Sequence, residues 1–301
     1  MKILIYGVGG VGGFIGSNLQ KTGFDISYIA RGTRFEFLKK NGLKLKSQLG
    51  DKSIKKIKIF NTIPNNIDFD VIISTVKLYD FDGFIGEVKK KGLHETILLP
   101  FQNGVYSEQK ISQEFGEEKT FGAVAQISSF INENQYVIHK GKLASFFVGN
   151  MSDIVNKKLL KFCEISKNSG LDIQYKSNIK EKIWEKFIFL SAYSGITTLT
   201  KKSIGEIFAS TALKDNFVSA MIETYNLSKF FNVKFKVNPV DYWLEKIKKM
   251  PFDMTSSMYL DYLNNKQLEL KWLSGFIVEC SKKFDNKCET HQSILNGIVT
   301  K

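Results

Sequence analysis

No run of apolar residues in this chain reaches the roughly 18–20 that a bilayer span needs. The opening Met1-Lys2-Ile3-Leu4-Ile5-Tyr6 meets Gly7 at once, without the longer apolar run and small-residue cleavage site of a signal peptide. A cytoplasmic protein with no membrane partner is therefore expected. Cysteine is scarce: Cys163, Cys280 and Cys288 are odd in number and far apart, which fits neither a disulfide framework nor a zinc pattern. Histidine is equally scarce. His94, His139 and His291 lack H-x-x-x-H spacing, so the expectation is surface or locally bonded histidines and no metal. Acidic residues are also in deficit, 30 Asp and Glu against 43 Lys and Arg, giving a net charge of +13 and a pI of about 9.4. The lysines are spread along the chain, and the clusters at 55–58 and 246–249 are short, so no basic arm points to a nucleic-acid partner. A positive field would equally draw in an anionic substrate and a phosphorylated cofactor, and charge alone does not decide between them.

What is present has the balance of a globular protein, with 43% hydrophobic and 24% charged residues over 301 positions, enough for two domains. The first 130 residues alternate strand-like and helix-like patterns, the signature of a parallel sheet flanked by helices. Short apolar strands are expected at 2–6, 25–30, 70–76 and 96–101, with helices at 10–22, 34–41 and 81–91. A hairpin is expected from 43–46 and 55–60. The sheet should resume at 122–129, and a second hairpin should form from 135–139 and 143–148, joined through Lys140-Gly141-Lys142. A helix over 153–168 and a strand over 172–175 lead to a mainly helical region: 179–200, 203–231, 239–248, 255–263, 266–284 and a last helix from about 290 to the C-terminus. The fold class is thus α/β, a Rossmann-type doubly wound parallel sheet in residues 1–177 followed by an all-helical domain in 178–301.

Gly7-Val8-Gly9-Gly10-Val11-Gly12 satisfies G-x-G-x-x-G between a strand and an amphipathic helix, the context that its physics requires. Gly7 permits the tight turn, Gly9 lets the backbone approach a pyrophosphate, and Gly12 allows helix and strand to pack closely. The phosphates would lie at the helix N-terminus, against Gly10 and Val11. The alternative is a purely structural glycine turn. An NAD binder places Asp or Glu at the end of the second strand to hold the ribose hydroxyls; this chain has Arg31, with Arg34 three residues on. A guanidinium binds a 2′-phosphate where a carboxylate repels it, which favours NADP(H), although an exposed loop arginine looks the same in sequence. Lys77 and Asn103 directly follow expected strands, at the carboxyl ends where ligands collect in an open parallel sheet. A loop lysine and a turn-forming Asn-Gly are the alternatives.

Five pieces in order resemble the ketopantoate reductase family (2-dehydropantoate 2-reductases) over essentially the whole chain. They are the glycine loop, Val76-Lys77, Phe101-Gln102-Asn103-Gly104, Ile183-Trp184-Glu185-Lys186-Phe187, and Ser256-Ser257-Met258-Tyr259-Leu260-Asp261 followed by Glu269. The resemblance implies an NADPH-dependent reductase of a small 2-oxo acid, acting in pantothenate biosynthesis, with its active site in the cleft between a Rossmann and a helical domain. It implies Lys186 as general acid, Asn103 as a positioner of nicotinamide and substrate, and Lys77 as a cofactor contact. It further implies Ser257 on the substrate carboxylate, Glu269 accepting from the substrate hydroxyl, and Arg31 on the 2′-phosphate. The chemistry agrees: hydride addition to a ketone develops negative charge on oxygen, which a cationic donor stabilises most in the transition state. Lys186 can also supply the proton if partial desolvation brings its pKa toward neutrality.

Certain positions depart from the family pattern. Asparagines four and eight residues after the catalytic lysine are replaced by Leu190 and Ser194, and the asparagine three residues before the carboxylate-binding serine by Met254. Ser194 keeps a hydroxyl for substrate, and Tyr193 offers another on the same helix. Two readings stay open: a divergent ketopantoate reductase, or a paralogue that reduces a more apolar 2-oxo acid. A non-catalytic NADP sensor is the rival from another class, but it would have no need of an acid and a substrate clamp. The active species would be a monomer or homodimer.

Overall fold

The computed structural model describes residues 1–65 and 67–298. The chain forms two compact units, one of Met1–Gln102 with Ser107–Ile179, the other of Asn103–Tyr106 with Lys180–Lys301.

The first unit is built on β1 (Lys2–Tyr6), β2 (Asp25–Ile29), β5 (Lys58–Phe60), β6 (Val71–Ser74) and β7 (Ile97–Pro100), ordered β5-β2-β1-β6-β7. Every pair is parallel. Helices α1 (Gly10–Leu19), α2 (Gly32–Asn41) and α3 (Leu78–Lys90) join strands of this sheet, and α4 (Tyr106–Phe115) follows its last strand. Parallel strands buried on both faces read as continuous apolar runs, and Ile3–Ile5, Val71–Ile73 and Leu99 are almost wholly inaccessible. The strand order reverses between β1 and β6, so the crevice for ligands in this sheet lies outside the carboxyl ends of those two strands.

A second sheet contains β3 (Leu43–Ser47), β4 (Lys52–Ile54), β8 (Phe121–Ile131), β9 (Val137–Asn150) and β10 (Asp172–Tyr175), with α5 (Lys157–Asn168) packed on β10. It differs from expectation in three ways. The hairpin partner of β3 is β4, closed by Asp51 accepting from the Ser47 amide, while β5 leaves to pair in parallel with β2. β8 pairs antiparallel with β9 instead of resuming the parallel sheet. The turn expected at 140–142 is a bulge within one long strand: Ile127 faces Ala144 and the next residue, Ser128, faces Lys140, leaving 141–143 unpaired around Gly141 at φ 77°. A glycine with positive φ marks a local break in the ladder, and the fourteen-residue β9 is long enough to absorb it and still pair with β3 and β10.

The second unit is helical: α6 (Ile179–Thr200), α7 (Ile204–Phe208), α8 (Thr211–Phe230), α9 (Pro239–Ile247), α10 (Ser257–Leu263), a 3-10 turn (Leu270–Trp272), α11 (Ser274–Lys283) and α12 (Glu289–Gly297). Two single helices of the sequence reading are each broken in two. The run over 203–231 splits at 209–210: a short first helix, opened by a Ser203–Glu206 capping box, ends at Ala209, and Ser210 is extended at the start of the next. The run over 266–284 splits at Leu273, whose ψ of −92° is not helical. The end of the last expected helix, at 299–301, lies outside the described residues. Among the described residues no helix is long and apolar enough to cross a membrane.

Helix α6 is the axis of this unit and is buried nearly all round. Trp243 of α9 stacks on Phe189, Phe276 of α11 meets Phe187 edge-on, and Ile294 of α12 packs against Gly195. One polar network crosses that core. Ser191 of α6 bonds Thr224 of α8 at 2.9 Å, and Thr224 bonds His291 Nε2 of α12 at 2.9 Å. Nε2 also lies 3.0 Å from the Ala220 carbonyl, which can only accept, so Nε2 carries the proton and Nδ1 accepts from Ser274 of α11 at 3.2 Å. Burial holds the His291 pKa down at about 4 against an ordinary 6.5. As pH falls below about 6.5, the unfolded chain binds a proton that the folded chain refuses until near pH 4, so folding stability declines across that window. We expect urea unfolding to lose roughly 2 kcal/mol between pH 7 and pH 5 from this group, and His291→Gln to remove that part of the slope. An unchanged pH slope in the variant would contradict the assignment.

Candidate functional site

In the first unit the glycine loop leaves β1 with Gly7 at φ 99°, a conformation that β-carbons disfavour. A β-carbon on Gly12 would sit 2.1 Å from the Gly7 carbonyl and 2.3 Å from Thr75 Oγ1, and one on Gly10 would sit 2.3 Å from the Ser129 carbonyl. These two glycines let α1 press against the β6 loop and β8. Gly9 is different, because a β-carbon there would meet nothing within 4 Å. Its backbone borders open space at the first turn of α1, next to half-exposed Val11. Tightly seated glycines around one open glycine, at the positive end of a helix, suit a pyrophosphate.

The loop is braced by residues that the sequence reading passed over. Thr75 Oγ1 donates to the Gly7 carbonyl at 2.6 Å. Arg34, to which the sequence assigned no role, donates from Nε to the Val8 carbonyl at 2.9 Å and from Nη1 to the Gln135 carbonyl at 2.5 Å; burial lowers its pKa to about 10. Arg31 lies two residues beyond β2, with its side chain half exposed and its guanidinium against Tyr6 Oη and Glu87 Oε2. Tyr6 donates to the same carboxylate at 2.5 Å, and the Ile63 amide holds its other oxygen. Lys77 caps α3 through its backbone just past β6. Gln102 Nε2 donates to Ser74 Oγ and the Val76 carbonyl, fixing the end of β6 to the end of β7.

In the second unit the central feature is the hydrogen bond from Lys186 Nζ to Asn103 Oδ1, at 3.0 Å. Two residues 83 positions apart are joined because Asn103–Tyr106 folds with the helices. Gly104, at φ 84°, lies where a β-carbon would be 3.3 Å from Leu273 and 3.6 Å from Phe187, so the Asn-Gly turn rests on the helix that carries Lys186. Both Lys186 and Asn103 remain partly accessible. Glu269 is buried, and its carbonyl accepts from the Trp272 and Leu273 amides at the turn leading into α11. Ser256 is the N-cap of α10: its Oγ accepts from the Tyr259 amide and bonds Thr197 Oγ1 at 2.7 Å, leaving Ser257 exposed as the first helical residue. The helix-cap alternative therefore applies to Ser256, and Ser257 is open to a ligand. Ser194 is buried on α6, Leu190 half-buried and Met254 exposed. A cavity of about 660 Å³ also opens in this unit beside Trp272, Leu270 and Leu295, but Lys186, Asn103, Ser257 and Glu269 do not line it.

Two family models match the chain: ketopantoate reductase PanE/ApbA over residues 3–153, and the ketopantoate reductase PanE/ApbA C-terminal region over 178–301. An uncharacterized oxidoreductase YkpB of Bacillus subtilis is 29% identical, covering 94% of this chain and 93% of its own. A 2-dehydropantoate 2-reductase of Archaeoglobus fulgidus is 25% identical, covering 98% and 96%. Among solved structures, D-mandelate dehydrogenase with NADH and anilino(oxo)acetate superposes with a TM-score of 0.86 at 18% identity, covering 99% of this chain and 97% of that one, a likeness of fold. The protein is an NAD(P)-dependent oxidoreductase. It belongs to the ketopantoate reductase family.

The contrast between the glycines gives a direct test of the loop. Gly9→Ala should fold with a nearly unchanged melting temperature yet bind the nicotinamide nucleotide at least about tenfold more weakly, whereas Gly12→Ala should be clearly destabilised before any ligand is added. Calorimetry and nucleotide titration of both variants check this; equal behaviour of the two would contradict it.

Proposed function

We propose that this protein reduces 2-dehydropantoate to pantoate with NADPH, and that Lys186 is the general acid. The observation that carries the reading is the Lys186–Asn103 hydrogen bond, a lysine with its ammonium oriented by an amide and still accessible to a ligand. When bound, the nicotinamide supplies the hydride. The chain's own residues do the rest. Lys186 offers a positive donor to the keto oxygen as charge builds there, and transfers a proton to it. Asn103 keeps Nζ in position, so no reorientation is needed as the reaction proceeds. Ser257, exposed at the start of α10, binds the substrate carboxylate; Glu269 accepts from the nascent hydroxyl, and Ser194 lines the substrate side of α6.

For the cofactor, Gly7, Gly9, Gly10, Val11 and Gly12 would receive the pyrophosphate, with Lys77 and Asn103 toward the nicotinamide. Arg31 would exchange part of its pairing with Glu87 for a 2′-phosphate. The half-exposed guanidinium and the lack of an acidic residue at its position favour NADPH over NADH.

A second reading has its own support. Leu190 puts an apolar side chain one turn beyond Lys186, on the side where an amide would hold a polar substrate, which favours a more apolar 2-oxo acid.

Mixing the protein with NADPH and a panel of 2-oxo acids, and following nucleotide absorbance, tests both. Fastest turnover of 2-dehydropantoate supports the first reading, and faster turnover of an apolar 2-oxo acid supports the second. Nucleotide binding without turnover on any member of the panel would mean a sensor. Lys186→Ala should lower kcat by about two orders of magnitude or more while NADPH still binds; near-normal rates would remove the general-acid role. Arg31→Glu should weaken NADPH far more than NADH, and equal effects on the two would contradict the 2′-phosphate assignment.

A further inference from the structure

On α6, positions seven and eleven residues after Lys186 return to within about 20° of its direction, about 10 and 16 Å along the axis. These are Tyr193 and Thr197. Thr197 anchors Ser256, the cap of the helix that begins with Ser257. One stripe of α6 therefore has the Lys186–Asn103 pair at one end and the start of α10 at the other, with Tyr193 between them.

The Tyr193 side chain is held in place. Its ring stacks on Phe189 at 5.0 Å, and Phe189 stacks on Trp243 at 4.3 Å. Trp243 is itself fixed through Nε1 to the Glu185 carbonyl at 2.6 Å. Tyr193 is 4% exposed, yet its hydroxyl has no hydrogen-bond partner among the described residues. A buried hydroxyl without a partner is costly and calls for a ligand or a bound water. Burial raises its pKa, so it stays protonated and can donate. On the same stripe Thr197 is already bonded, and Leu190 nearby has no polar atom.

We propose that the Tyr193 hydroxyl is the specificity-determining donor to an oxygen on the side chain of the 2-oxo acid, beyond its keto and carboxylate groups. This rests on the reductase reading above. It assigns the substrate to the oxygen-bearing 2-oxo acids, with recognition by a phenol where the helix lacks an amide at 190.

The test is a cycle between protein and substrate. Steady-state rates of NADPH oxidation are compared for 2-dehydropantoate and for trimethylpyruvate, which carries a methyl group in place of the hydroxymethyl, in the native protein and in Tyr193→Phe. The native protein should prefer the hydroxylated acid by about tenfold or more in kcat/KM. In Tyr193→Phe that preference should disappear, chiefly through KM, with trimethylpyruvate unaffected. The phenylalanine ring keeps the stack, and loss of an unpaired hydroxyl should leave the melting temperature equal or higher, which serves as the folding control. A preference that survives in Tyr193→Phe, equal losses on both acids, or no preference in the native protein would each overturn the proposal while leaving the reductase reading intact. Failure of the native protein to turn over any 2-oxo acid would overturn the reductase reading, and this proposal with it.

Discussion

A single hydrogen bond in the helical unit, Lys186 Nζ to Asn103 Oδ1, is the constraint on which the proposed chemistry depends. It needs a lysine at a fixed height on a helix and an asparagine on a turn that belongs to the same packed body. Helix α6 meets the first need by being the buried axis of the unit, so its ends cannot drift relative to its neighbours. The Asn103-Gly104 turn meets the second because glycine accepts a left-handed backbone and lies close to both Phe187 and Leu273. The buried Ser191–Thr224–His291–Ser274 network adds directional bonds among α6, α8, α12 and α11, where apolar packing alone would tolerate small slips.

The parallel-sheet unit uses a different device. Its loop is formed by close contacts that only glycine permits, with one glycine, Gly9, facing open space. Bracing comes from outside the loop, through Thr75 on the Gly7 carbonyl and Arg34 on the Val8 carbonyl. Arg31 is held by Tyr6 and Glu87, so its charge is oriented in advance but also partly balanced. A phosphate bound there as proposed would have to compete with that carboxylate for the guanidinium.

Much of this was legible in the sequence, for physical reasons. The glycine loop, its flanking strand and helix, and the apolar strands of the parallel sheet are local patterns, and local patterns carry over. Lys186, Asn103, Ser257 and Glu269 stood out as candidates only through the order of several short motifs, since a lone lysine on an amphipathic helix carries no signal of its own. What was missed depends on distant partners. Glu87 lies 56 residues from Arg31, and nothing around it in α3 sets it apart from a surface acid. The bracing role of Arg34 was invisible because its acceptors, the carbonyls of Val8 and Gln135, are backbone groups that sequence cannot show. The Gly141 bulge looked like a hairpin turn because a positive-φ glycine between two strand-like segments serves either purpose. Pairing along all of β9 decided the matter, and that is a tertiary property.

The most direct measurement is a crystal structure of the protein with oxidised nucleotide and a non-reducible 2-oxo acid analogue. The account predicts the carbonyl oxygen of the analogue at about 2.7–3.2 Å from Lys186 Nζ, with Asn103 still bonded to that nitrogen. An analogue bound with its carbonyl turned away from Lys186, or seated elsewhere on the molecule, would contradict it.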